Sequence, residues 1–447
     1  MPRLARARAA TDGAVGPIRL VAFLDGRTVG AVHRESRGAA RFIYYDDWRL
    51  DPEAYPVSLS MPLASRAHGP GVITPFLWGL LPDNERTLAQ YGRQFGVSPR
   101  NPIDLLAHIG ADCAGAIQFA SPEHAAALAG SAPRTPTVDW LTETEVAREL
   151  RTVREHGIPG TTPRTIGQFS LAGAQPKIAL LHDGRRWGLP RGRTPTTHIL
   201  KPPTREFAGF AENEHFCLDL AARLGLGAAS SRVTRFDTEV AIVVQRFDRV
   251  KRDGVYRRLH QEDACQALGV MPNLKYENQG GPGIADIVTL LRATSHAAVD
   301  DVGRFLGAVA LGWVIAATDG HAKNYALLHG AGQRVRLAPL FDIASYLPYT
   351  DRALHRVKLA MQVGGEYLIR RVARPHWIDL ADRIAVPPHQ LLDEVRALLT
   401  RLPDAIEDTR AAAVRDGLNA KFVNGLAQRL VRRTDDCVRS VVASSAG

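Results

Sequence analysis

The run Thr318-Asp319-Gly320-His321-Ala322-Lys323-Asn324 sets a carboxylate and an amide five residues apart, and Asp342 follows eighteen residues beyond Asn324. Phosphoryl transfer from ATP calls for such a set. One carboxylate orients the acceptor hydroxyl and takes its proton, while an Asn and a second carboxylate hold Mg2+ against the phosphates. On that reading Asp319 is the base, and Asn324 and Asp342 are the metal ligands. Asp-Gly and Asn are also ordinary turn residues, so the spacing gains meaning only from companions elsewhere in the chain.

Three upstream segments offer them. Ser170-Leu-Ala-Gly-Ala-Gln-Pro-Lys177 is rich in small residues, which let backbone amides come close to phosphates. It matches neither the Walker pattern nor the glycine triplet of kinases, and taken alone it reads as a plain β-turn. Lys201 ends the apolar strand Thr197-His-Ile-Leu-Lys201, from which an amine reaches the α- and β-phosphates if a carboxylate holds it. Glu212 and Glu214 on the following helix are the candidate partners, and a lysine snorkelling from a sheet edge is the plain alternative. Gln245-Arg246-Phe247-Asp248 follows another apolar strand, where a hinge between lobes would meet adenine through its backbone; solvated charge at a strand end reads the same.

Other chemistries find less support. His321 with Asp319 and Asp342 lacks the spacing of a zinc site, and no Gly-x-Ser-x-Gly elbow is present. Lys323 either neutralises phosphate charge or sits in solvent. The basic run Arg429-Leu-Val-Arg-Arg433 is placed on a solvated helix face, with phosphate contact as the alternative.

The elements that must position these residues fall into two halves. Short strands with an Asp25-Gly26 turn open the chain, and the stretch 17–120 holds no convergent catalytic set, so packing or partner binding is its default role. Residues 1–16 read as a flexible tail, and 121–139, with their Ala, Ser, Pro and Gly, as a linker. A smaller β-containing lobe is expected over 140–258, opening on the capping box Thr142-x-x-Glu145. Its helix at 212–224 carries Phe216, Leu220 and Leu224 on one stripe and stops at Gly225. From Leu259 strands give way to helices, expected at 262–268, 284–292, 302–317, 376–383, 389–402, 404–414 and 427–442 within a lobe spanning 259–440. The 302–317 helix is apolar nearly all round and delivers Asp319 at its exit; a short hairpin then carries Asp342 to the cleft.

A chain of 447 residues exceeds one ordinary core, so two or three domains are expected. The net charge of +10 suits an acidic partner such as a nucleotide or nucleic acid, and a high-Arg proteome background accounts for it as well. Four widely spaced cysteines exclude a disulfide framework or a zinc site of ordinary spacing and fit a reducing cytoplasm. The basic N-terminus lacks the apolar core of a signal peptide, and no run approaches the roughly 18 to 20 apolar residues of a membrane span.

Taken together these motifs resemble the HipA family of serine/threonine kinase toxins. Ser60-Met-Pro-Leu63, Gly79-Leu-Leu-Pro82 and the stretch 110–119 resemble its N-terminal subdomain. The loop 170–177, Lys201, Glu212-Asn-Glu-His-Phe-Cys217 and Arg246-Phe-Asp-Arg249 resemble its smaller lobe. Gln261-Glu-Asp-Ala-Cys-Gln-Ala-Leu-Gly269, the stretch 318–324, Phe341-Asp342 and Lys358-Leu-Ala-Met361 resemble its helical lobe. The resemblance implies an α/β (α+β) chain with a two-lobed protein-kinase-like fold, a β-rich N-terminal subdomain and a mostly helical C-terminal lobe. It implies ATP and Mg2+ as cofactors, with Asp319 catalytic and Asn324 and Asp342 holding the metal. Ala172, Gly173, Ala174, Gln175, Lys177, Lys201, Gln245, Arg246, Phe247 and His321 are placed around ATP. Ser170 is implied as an autophosphorylation site that displaces the loop. A HipB-like helix-turn-helix antitoxin, operator DNA through that complex, and a translation component such as an aminoacyl-tRNA synthetase are the implied partners. A catalytically idle co-repressor and a small-molecule kinase are the rival readings. Two departures stand out: Pro176 replaces an acidic residue and removes a backbone donor, and Gln245 stands where an acidic hinge residue is common.

Overall fold

The computed structural model describes residues 16–35, 38–130, 133, 135–158, 169–204, 207–350 and 354–442. The tail expected at 1–16 lies, apart from Gly16, outside the described residues. A five-stranded antiparallel sheet opens the fold, in the order Ala67–His68, Ala40–Tyr44, Arg27–Arg34, Ile18–Leu24, Ile117–Ala120. The first hairpin closes through Asp25 and Gly26, both at positive φ (45° and 83°), as a tight turn that follows the twist of the strands requires. Helices Pro70–Leu80, Glu85–Phe95 and Pro102–Ile109 cover the sheet, and Phe42, Tyr44, Phe76 and Phe119 are buried between them. Asn84 starts the second helix by accepting the amides of Arg86 and Thr87.

A six-stranded sheet forms the smaller lobe, in the order Ser231–Phe236, Glu239–Gln245, His198–Lys201, Ile178–His182, Trp187–Pro190, Val138–Leu141. Its first strand begins inside the stretch expected to be a linker, pairing Val138 with Pro190. Leu128 of that stretch is buried against Phe23 and Ala120. The capping box forms at Thr142 and Glu145, and helix Glu143–His156 buries Val146, Leu150 and Val153 in the sheet's core. Helix Phe210–Arg223 packs on the opposite lobe as well, because Asn213 donates to the Ser345 carbonyl (2.7 Å) and accepts its amide (3.0 Å).

The remaining lobe is built on helix Ala298–Ile315, surrounded by Ile284–Thr294, Arg374–Arg383, Pro388–Arg415 and Ala420–Val442. It keeps more β structure than the helical pattern suggests. His260–Asp263, Ala326–Gly330 and Arg334–Leu337 form a sheet, so the helix expected from Glu262 begins only at Ala264, where Asp263 caps it. Pairing with the Ala326–Gly330 strand overrides local helix propensity there. The helices expected at 389–402 and 404–414 are one, Pro388–Arg415, running through Pro403. A proline forfeits one intrahelical hydrogen bond, while Leu398, Leu399, Leu402 and Ile406 around it stay buried and hold the helix to the core. Among the described residues no helix is long and apolar enough to cross a membrane, and all four cysteines are buried and unpaired.

Candidate active site

Helix Ala298–Ile315 ends where Ala316 turns left-handed (φ 55°), with its amide donating to the Gly312 carbonyl. That turn throws Asp319 out to the solvent side of a loop whose next members go inward. His321, Lys323 and Asn324 are buried, whereas the Asp319 side chain is 64% exposed. The loop is tied by its own backbone, His321 N–H to the Asp319 carbonyl (2.8 Å) and Asn324 N–H to the His321 carbonyl (2.9 Å). Asn324 spends its amide nitrogen on the carbonyls of Asp319 (2.6 Å) and Asp342 (3.5 Å). Two facing carbonyls can only meet the nitrogen, which fixes the amide's orientation and leaves its oxygen free for a cation.

Asp342 arrives by the hairpin Ala326–Gly330/Arg334–Leu337, followed by Leu340, which is bound on both sides to the smaller lobe at Gly227 and Ala229. It sits at φ 56°, a conformation costly for a residue with a Cβ and held by its surroundings. Lys201 reaches across from the smaller lobe. Its amine lies 2.7 Å from Glu214 Oε1 and 2.7 Å from Asp342 Oδ1, so of the two candidate partners Glu214 is the one used. Burial works against the Lys201 cation, but Asp342 and Glu214 outweigh it and raise its pKa. Burial likewise opposes ionisation of Asp342, and Lys201 followed by Lys177 pulls its carboxyl well below the usual range. Glu214 Oε2 is buried without a partner.

The small-residue loop closes the other side. Gly173 adopts φ 106°, a backbone conformation that a residue with a Cβ rarely takes, which favours glycine there. Lys177 folds back to donate to the Ala172 carbonyl (2.6 Å). Burial, then the charge of Lys201, lowers its pKa to about 8. Between this loop and the loop from Asp319 to Asn324 lies a cavity of about 930 Å³, with Ala174, Gln175 and Pro176 on one wall and Asp319, Asn324 and Asp342 on the other. Tyr276 also lines it and donates its hydroxyl to Asp319 Oδ1. His321 stands 3.5 Å from the same oxygen, and burial depresses its pKa against the pull of Asp319.

Not every expected residue faces the cavity. The Arg246 side chain is buried away from it, bound to Asp248, Thr196 and the Cys113 carbonyl. Its amide and that of Gln245 are spent on the Thr197 and Ser230 carbonyls. Phe247 packs on Phe341, next to Asp342 (5.6 Å between rings), and so braces the site from behind. Ser170 is buried, donating to the Leu80 carbonyl (2.8 Å). Lys323 is neither solvated nor facing the cavity: it is buried and paired with Asp83 (3.1 Å) and Asp263 (3.9 Å). Asp83 and Tyr276 escaped sequence reasoning. No local pattern marks them, because each meets its partner only across the fold.

An ATP and Mg2+ pair fits this donor set. Among the described residues no three His, Cys, Asp or Glu side chains gather to hold a metal alone. One carboxylate and one amide oxygen suit Mg2+, which takes the rest of its oxygens from phosphate and water. The cavity's size is that of a cofactor site.

The arrangement is that of a two-lobed kinase. A family model for the HipA-like C-terminal domain matches residues 169–406, and one for the HipA N-terminal domain matches 20–120. Y4mE of Sinorhizobium fredii, whose name provisionally assigns it as a kinase, is 35% identical over 398 residues, covering 88% of this chain and 91% of that protein. The serine/threonine-protein kinase toxin HipA of Shewanella oneidensis is 30% identical over 378 residues, covering 82% and 83%. The solved HipA of Shewanella oneidensis, in a complex with HipB and operator DNA, has the same fold: TM-score 0.80 at 24% identity, covering 94% of this chain and 97% of that one. The chain belongs to the HipA family of kinases.

Proposed function

We propose that this protein is a Mg-ATP-dependent protein serine/threonine kinase acting as a toxin of a toxin–antitoxin system in the cytoplasm. The observation that carries the reading is the Lys201 amine shared between Glu214 and Asp342 across the lobes, beside an Asn324 whose amide oxygen is left for a cation. Bound there, Mg-ATP supplies the transferable phosphoryl group and a cation that offsets its charge. Asp319 accepts the proton of the incoming hydroxyl, with the Tyr276 hydroxyl holding one carboxylate oxygen so that the other faces the acceptor. Lys201 and Lys177 meet the phosphates, and His321 lies beside the nucleotide.

Ser170 is the proposed autophosphorylation site. Its hydroxyl is bound to Leu80 inside a packed loop, and a phosphate there adds about −1.5 to −2 charge with no room to hold it. The loop must then leave its place, which switches the enzyme off. A HipB-like helix-turn-helix antitoxin and, through it, operator DNA are the proposed partners, supported by the HipB and operator DNA bound to the Shewanella oneidensis HipA. The acceptor protein is proposed to be a translation component such as an aminoacyl-tRNA synthetase.

Purified protein incubated with labelled ATP and Mg2+ tests the reading. Label on Ser170 in the wild type and none in Asp319→Ala is the expected result. Absence of transfer to itself and to a proteome extract, in protein purified free of phosphate on Ser170, overturns it.

A further inference from the structure

The segment from Gly79 to Asn84 belongs to the N-terminal subdomain, yet it touches both halves of the phosphotransfer centre. On one side it holds the phosphate loop twice. The Leu80 carbonyl accepts the Ser170 hydroxyl, and the Asp83 amide donates to the Gly173 carbonyl (3.2 Å) where Pro82 and Gly173 pair as a bridge. On the other side the Asp83 carboxylate grips the catalytic loop. Its Oδ1 lies 3.1 Å from the Lys323 amine and its Oδ2 lies 2.9 Å from that of Lys275. Lys323 is the residue before Asn324, and the Lys275 carbonyl receives the Ala322 amide (3.4 Å). Next to Lys275 stands Tyr276, which holds Asp319.

A buried ammonium group cannot be left without a counter-charge, because its desolvation costs several kcal/mol. Lys323 has two carboxylates to choose from. Asp263 is the farther, at 3.9 Å, and already accepts the Gln266 amide as a helix cap. Asp83 is the nearer and is itself mostly buried. The position of Lys323, and with it that of Asn324, therefore follows the position of Asp83.

We propose that Asp83 is a positioning residue for phosphoryl transfer, a carboxylate of the N-terminal subdomain that sets the catalytic loop against the phosphate loop. It touches neither nucleotide nor acceptor and acts through Lys323 and through the backbone of Gly173. This gives the N-terminal subdomain a part in the chemistry, and it rests on the kinase reading of the site.

The test is the single-turnover rate of autophosphorylation of the full chain across ATP concentrations, its plateau read as kcat and its half-saturation as KM, with the thermal unfolding midpoint measured alongside. Asp83→Asn is expected to lose about ten- to a hundredfold in kcat, the effect of misplaced reacting groups, while the KM for ATP stays within about threefold. Asp83→Glu, which keeps the charge, is expected to recover most of that loss. A role confined to stability would lower the unfolding midpoint and leave kcat intact well below it, and that result overturns the proposal. If Asp83→Asn does not fold, Lys323→Met opens the same clamp from the other end and must show the same loss in kcat, unchanged kcat again overturning it. A wild type that transfers no phosphate sinks the kinase reading and this proposal together. An active wild type beside a fully active Asp83→Asn sinks the proposal alone.

Discussion

At the junction between the N-terminal subdomain and the smaller lobe, Asp112, Arg246, Asp248, Arg249 and Arg258 lie with side chains no more than 7% exposed. Asp112 accepts from Arg249 (2.8 Å), Arg258 (3.2 Å) and the Thr196 hydroxyl (2.6 Å). Asp248 accepts from Arg246 (2.8 Å) and from the Gly115 amide (2.7 Å). At the candidate active site the carboxylates are left more open. Asp319 is mainly exposed, Asp342 is 32% exposed, and Glu214 keeps one oxygen without a partner. The carboxylates of the junction are fully engaged inside the protein, although Arg249 Nε and Arg258 Nη2 have no partner, and such carboxylates hold domains together, whereas a carboxylate with an open lone pair at a cavity is available to a reactant. The motif Arg246-Phe-Asp-Arg249 thus belongs, by its side chains, to the first kind, although its place after an apolar strand led to the expectation of a nucleotide hinge.

The largest expected contrast comes from one substitution in each region. Asp319→Asn should lower kcat by about 10²- to 10⁴-fold, the usual worth of a general base. Its unfolding free energy should move by no more than about 0.5 kcal/mol, as for exposed residues generally. Asp112→Ala should do the reverse. It leaves Arg258 buried beside no carboxylate, and Arg249 with Asp248 alone (2.9 Å), and should cost about 3–5 kcal/mol in urea unfolding. Protein that survives should keep its kcat at low temperature. An Asp112→Ala protein as stable as wild type would mean that the junction is wetter than its burial indicates.

Tyr276→Phe probes the open site more gently. It removes the hydroxyl that fixes Asp319, a hydrogen bond to a charged group worth about 1.5–3 kcal/mol. A loss of about tenfold in kcat is expected, with the KM for ATP unchanged. An increase in kcat would instead mean that the tyrosine hydroxyl occupies the acceptor's place and must be displaced.

How much of this could be read in the chain follows from the distance over which each feature is determined. The candidate site at 318–324 was legible because Asp319 and Asn324 are five residues apart, and the hairpin returning Asp342 is local. The capping box at Thr142 and the turn at Asp25-Gly26 were legible for the same reason. Pairings over long separations were not. Asp83 meets Lys323 across 240 residues, and Glu262 accepts from Ser58, Leu59 and His329 at the seam of two domains. The strand His260–Asp263 exists because Ala326–Gly330 lies beside it, and no local propensity announces a partner so far along the chain. The helix through Pro403 escaped detection for a similar reason, since burial of its apolar stripe outweighs the one hydrogen bond that proline removes.

The smallest expected effect tests whether Lys177 belongs with the open charges, and it turns on a sign. Burial and the neighbouring Lys201 bring its pKa from an ordinary 10.5 down to about 8. Without nucleotide, the folded protein therefore binds fewer protons than the unfolded chain between those two values. Stability from this group then rises with pH across that window. A phosphate beside the amine favours the cation, so nucleotide binding draws a proton onto Lys177 and weakens as the pH passes about 8. The KM for ATP should rise between pH 7 and pH 9 by up to about fivefold, the worth of one partly solvated ion pair. Lys201, whose pKa is raised, stays charged throughout and contributes nothing to that slope. Lys177→Met should therefore flatten the KM profile while leaving its level near the wild-type value at pH 9. A slope that survives the substitution would place the titrating group elsewhere and move Lys177, with its hydrogen bond to Ala172, to the side of the closed, structural charges.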